Sequence, residues 1–145
     1  MPRAMQIVDR LLESTGKFVS AVLTPQSRVR LLQTVPPIHP VVHAHHVTMA
    51  FNPDPETLAR YEAMVGKRVR IAVVAVSADQ YGQAVLVGAE SQNEYPHVTI
   101  SVAEGVAPSY SNSLLASADH QHVPIFTLEA DVVIEPLDET PTTHR

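Results

Sequence analysis

Two apolar runs of this chain carry the same tripeptide, His46-Val47-Thr48 and His97-Val98-Thr99, 51 positions apart. A strand sends residues i and i+2 to one face, so each copy presents an imidazole and a hydroxyl together and turns its valine the other way. In the first run His46, Thr48 and Ala50 share a face, opposite Val47, Met49 and Phe51. In the second, His97, Thr99 and Ser101 oppose Val98, Ile100 and Val102. The apolar faces have to be buried, and helices are the expected cover. Any fold for this chain must hide one side of both strands and leave the polar side accessible.

Around these strands the chain alternates helix and strand signals. Phe18 to Leu23 reads as a strand. Thr24 before Pro25 is a helix start, a hydroxyl at the cap and a proline in the first turn, and Pro36-Pro37 is its end. The next strand is expected over His43 to Phe51. Asp54-Pro55 repeats the cap signal and opens a helix that Gly66 closes. Val69 to Val76 and Ala84 to Val87 read as a hairpin about the turn Asp79 to Gly82, Tyr95 to Val102 as the second histidine strand, and Phe126 to Ile134 as the last. A short amphipathic helix is expected over Met5 to Leu12. Ala103 to Pro124 has little strand signal, with a turn of helix capped within Ser109 to Ser113, and is either a rim for a site or a plain connection. The tail past about Pro136 is expected to fray.

With 145 residues the chain is expected to be a single domain, 1–145, burying roughly 70% of its unfolded surface. It has no cysteine, so thiol nucleophiles, disulfides and thiolate metal sites are excluded. No run approaches the roughly 20 apolar residues of a membrane span, and a cytoplasmic monomer is expected. The net charge of −5 argues against long nucleic acid held by phosphate contacts. Arg28, Arg30, Lys67, Arg68 and Arg70 supply local positive charge, either solvated or facing a phosphate.

Paired imidazoles suit phosphodiester chemistry, because one ring can accept a proton from water while the other donates to a leaving oxygen. Thr48 and Thr99 would then hold the non-bridging oxygens. The alternative is two unrelated histidines on strands that use threonine for its β-propensity. His43 and His45, and again His120 and His122, are spaced by two and could in principle hold zinc. On a regular strand, however, His43 and His45 point away from His46, and strand entry and exposed loops account for all four more simply, though one of His43 or His45 could instead line a rim and shift the pKa of a neighbour. No glycine-rich phosphate loop, metalloprotease helix or serine elbow is present.

In these residues the chain resembles the 2H phosphoesterase superfamily, named for two His-x-Thr/Ser motifs on strands. His45-His46-Val47-Thr48-Met49-Ala50-Phe51 resembles the first motif and His97-Val98-Thr99-Ile100 the second, within a likeness running from Gly16 to Ile134. It is most similar to small RNA-repair-like proteins likened to the cyclic phosphodiesterase domain of fungal-type transfer RNA ligases. The resemblance implies an α+β fold of two antiparallel-sheet lobes, related by pseudo-two-fold symmetry about a central cleft with helices outside. It implies opening of 2',3'-cyclic phosphates of nucleotides or short RNA ends, in relatives often to 2'-phosphates, with no cofactor or metal. His46 and His97 become the acid/base pair and Thr48 and Thr99 the phosphate holders. Tyr110, Ser111 and Asn112 resemble a substrate-side loop, and Tyr110 is the favoured stacking aromatic over Tyr81, Tyr95 and Phe126. A non-catalytic nucleotide- or RNA-end-binding module is the alternative, with a zinc hydrolase more distant.

Overall fold

The computed structural model describes residues 15–117 and 120–137. In chain order its elements are β1 (Lys17–Leu23), α1 (Pro25–Thr34), β2 (Val41–Val42), β3 (His46–Phe51) and α2 (Pro55–Glu62). Then follow β4 (Arg68–Ala78), β5 (Gly82–Gly88), β6 (His97–Val102), α3 (Tyr110–Ser117) and β7 (Gln121–Pro136). The helix expected over Met5 to Leu12 and nearly all of the tail lie outside the described residues. No helix among those described is long and apolar enough to cross a membrane.

Both cap signals operate as the sequence predicts. The Thr24 hydroxyl accepts from the Ser27 N–H at 3.1 Å and the Asp54 carboxylate from the Thr57 N–H at 2.7 Å, each with proline in the first turn behind it. The Asp79 turn also forms, its carboxylate accepting from the N–H groups of Tyr81 and Gly82. β7 starts at Gln121, ahead of the expected Phe126, because pairing with β4 extends it: Ala75 faces His122 and Val76 faces Gln121.

All strand pairs are antiparallel, in the order β6-β3-β1-β7-β4-β5, and β5 pairs back onto β6. The fold is α+β, and the sheet is one closed six-stranded barrel rather than two lobes about a cleft. The reason is that both edges of β6 are occupied. β5 runs along one edge from Gly82↔Val102 to Leu86↔His97, and β3 meets the other at Val47↔Val98 with β2 continuing that edge at Val41↔Val102. Closure leaves no free edge for a second sheet.

Burial follows from closure. Val19 and Ala21 of β1, Val47 and Met49 of β3, Ile71 and Val73 of β4, Val85 and Val87 of β5, Val98 and Ile100 of β6 and Leu128 and Ala130 of β7 form one cluster in the barrel interior. The apolar faces of the histidine strands therefore turn into the barrel rather than onto outer helices. Helices α1 and α2 add Leu31, Val35, Leu58 and Tyr61 to the same cluster. Only α3 lies on the other face of β5, where Leu114 and Leu115 pack on Ala84 and Leu86. The Thr24→Ala variant is expected to lose about 1 kcal/mol of stability, the usual cost of a lost cap. Denaturant unfolding measures it, and an unchanged midpoint would contradict the capping role.

Candidate functional site

With Val47 and Val98 inside, the alternation turns His46, Thr48, His97 and Thr99 outward, and all four line one cavity of about 440 Å³ on the outer face of the β3–β6 seam. Among the described residues the two strands make a single register pair, Val47 with Val98, and the cavity opens where their backbones part. Their free edges are tied elsewhere. The His43 and Ala44 N–H groups donate to the carbonyls of Ile100 and Thr99, each at 2.8 Å, while the Gln92 N–H donates to the Met49 carbonyl and the Ser91 hydroxyl to that of Thr48. The Ser91 hydroxyl also accepts from the Asn93 N–H at 3.0 Å, and Asn93 faces the cavity.

Two departures from strand alternation add residues that periodicity hides. β3 is broken from β2 at residues 43–45, where Ala44 is buried with a left-handed backbone, φ 49°. This inversion brings His43 and His45 to the same cavity as His46, against the expectation that they point away. The segment is pinned from both sides, by the Arg28 guanidinium donating to the His43 carbonyl and the Leu23 N–H donating to the His45 carbonyl. The second departure is a bulge. Val19 faces Ala50 but Ser20 faces Thr48, so Met49 has no partner and the alternation slips by one. Ala50 becomes buried, while Phe51, expected inside, is 65% exposed on the cavity rim. Phe18 on β1 stands edge-on to both Phe51 and His46.

The substrate-loop triplet divides. Asn112 lines the cavity, with Pro108 and Ser109 before it. Ser111 is buried and shares a 2.8 Å hydrogen bond with the Thr99 hydroxyl, so it acts on Thr99 from behind. Tyr110 faces away from the cavity, since its hydroxyl donates to the Asp79 carboxylate and its ring lies against Gly82 and edge-on to Tyr81. Of the other aromatics proposed for stacking, Tyr95 meets His120 and Phe126 lies beneath Arg30. The exposed aromatic at the cavity is Phe51.

The remaining polar residues have structural positions. His120 donates to the Leu115 carbonyl at 2.7 Å and His39 to that of Asp79 at 2.9 Å. Arg30 donates to the Thr127 carbonyl and Arg68 pairs with Asp131 at 3.0 Å. Among the described residues no Lys, Arg, Asp or Glu lines the cavity, and the titratable groups there are His43, His45, His46 and His97. No group of three or more metal-ligating side chains converges among the described residues.

The imidazoles are electrostatically unequal. The backbone carbonyl of Tyr95 can only accept, so His97 carries a proton on Nδ1, donated at 2.7 Å, and its Nε2 is left for a ligand. Burial lowers the His97 pKa and this hydrogen bond partly opposes it. Burial is also the main cause at His46, with repulsion from His45, His97 and His43 adding to it, and the pKa falls to about 4. His43 is lowered by burial and by His45.

An anion between the rings would reverse this, favouring the charged imidazoles and drawing in a proton. Because the free-site values are depressed and the bound-site values higher, affinity is full at low pH and is lost as pH rises through the bound-state pKa. Sulfate, which stays fully charged across this range, should bind more weakly by up to about tenfold per pH unit where one proton is linked. Calorimetry in buffers of differing ionisation heat would register the proton uptake; a pH-independent affinity would contradict it. No family model, curated protein or solved structure matches the chain.

Proposed function

We propose that this chain is a metal-independent phosphodiesterase of the 2H type that opens 2',3'-cyclic phosphates of nucleotides or short RNA ends. The observation that carries the reading is that both tripeptides deliver histidine and threonine to a single cavity, across a seam where their central valines are partners. Hydrolysis needs a proton removed from the attacking water and one delivered to the departing ribose oxygen. Two imidazoles on facing strands supply both, each transfer typically being worth about 10²–10⁴ in rate. The hydroxyls of Thr48 and Thr99 donate to the non-bridging oxygens, where charge grows in the transition state.

The surroundings fit a small anionic ligand. A volume of about 440 Å³ lies in the range of small-molecule sites, roughly 300–1,000 Å³. Among the described residues no lysine or arginine lines the cavity, which suits one phosphate rather than a tract of them. Phe51 offers a base an exposed aromatic face at the rim. Ser111 keeps the Thr99 hydroxyl in place from the α3 side.

His46→Ala and His97→Ala are each expected to reduce turnover of 2',3'-cyclic nucleotides and cyclic-phosphate RNA ends by at least about 10². Chelators should leave the wild-type rate unchanged. Full activity in either folded variant would sink the acid/base assignment, and tight binding without turnover by the wild type would favour a binding module. Thr99→Val should lower kcat by about 10², the scale of one lost oxyanion donor, with the smaller effect on KM. A change in KM alone would assign Thr99 to ground-state binding.

A further inference from the structure

His45 and His46 are neighbours in sequence, yet their rings meet. Their Nδ1 atoms are 3.0 Å apart, with ring planes at 79°. A regular strand cannot do this, because consecutive side chains leave on opposite faces. The inverted backbone at Ala44, pinned by Thr99, Arg28 and Leu23, makes the contact. Between two ring nitrogens at this distance one carries a proton and the other a lone pair. The pair therefore accommodates one shared Nδ1 proton, and a second would set N–H against N–H.

We infer that His45 is the positioning residue for His46, and that the two imidazoles hold and release a catalytic proton as one unit. This rests on the phosphodiesterase reading for its reaction but not for its contact. When His46 Nε2 takes a proton from water, the Nδ1 proton of His46 crosses to Nδ1 of His45. The positive charge then sits on His45, whose side chain is exposed, rather than on the half-buried His46. Delivery runs the same path backwards: His45 returns the Nδ1 proton as His46 Nε2 gives one to the leaving oxygen. One proton enters or leaves, and none accumulates.

His97 is built differently. Its Nδ1–H is fixed on a backbone carbonyl, which cannot accept the proton, so its exchange runs through Nε2 alone. The other titratable groups facing the pair are His43, from the segment before β3, and His97, from β6. β1, the segment bearing Asn93 and the entry to α3 bring none to the cavity. Among the described residues no carboxylate that could otherwise take the charge lines the cavity.

The test is His45→Asn, with His45→Gln as a second amide, since an amide can hydrogen-bond Nδ1 but cannot take its charge. In the free protein, the ¹⁵N resonances of His46 should follow a multi-stage titration, coupled to His45 as well as to His97 and His43, that loses its His45-linked stage in the variants. An unaltered His46 titration curve would overturn the pairing. With 2',3'-cyclic AMP, kcat should fall roughly tenfold at neutral pH, the pH profile should change shape and KM should stay within about twofold. Wild-type kcat and profile in both variants would overturn the proton role. If the wild type has no turnover, the phosphodiesterase reading fails while the titration still decides whether the rings share a proton.

Discussion

The contact between Val47 and Val98 is the one on which the rest depends. Both are fully buried in the barrel interior, and their pairing joins β3 to β6 and so closes the sheet. Because each valine sits between a histidine and a threonine, the same pair that fills the core obliges the polar groups on either side to face outward together. Closure and site assembly are one event. The seam is narrow, and the backbone groups it leaves unpaired are satisfied by residues 43–44 on one side and 91–92 on the other. Those two connections are also the walls of the cavity, so meeting the backbone's hydrogen-bond requirement shapes the site.

The cavity gathers imidazoles without fixed countercharge. Burial and mutual repulsion both disfavour protonated His46, and burial disfavours protonated His97 and His43. An anion bound beside these three rings would favour their charged forms, so its binding would be linked to proton uptake. The chain's net charge of −5 is compatible with an anion site because the attraction is local and conditional. Three of the basic residues serve the architecture, Arg28 and Arg30 on backbone carbonyls and Arg68 on Asp131.

Much of this was legible in the chain. Both helix starts could be read because a cap residue followed by proline is a local signal, satisfied within three residues. The outward phase of His46, Thr48, His97 and Thr99 followed from alternation alone. What could not be read are the places where alternation breaks. Ala44 adopts a left-handed backbone without the glycine that usually announces one, and the slip at Met49 depends on how β1 lies beside it. These concealed Phe51 and the arrival of both His43 and His45 at the cavity, where the sequence offered at most one of them a place on a rim. Tyr110 was misplaced because a neighbour of the cavity-lining Asn112 need not share its direction on a helix, and because its partner Asp79 lies 31 residues back in the chain. The two-lobed arrangement failed for a similar reason: whether β5 and β3 both reach β6 is decided by long-range pairing, to which short motifs are blind.

The cavity's walls rest on two separate cores. His46, Thr48, His97 and Thr99 stand on strands anchored in the barrel interior, whereas Asn112 rides on, and Ser109 leads into, a helix whose apolar residues, Leu114 and Leu115, pack on Ala84 and Leu86 outside it. Repacking that small outer cluster would shift one wall of the cavity while leaving the barrel interior beneath the histidine strands in place. The fold thereby gives the shape of that wall and the placement of the imidazoles largely different mutational targets, so one can vary while the other is kept.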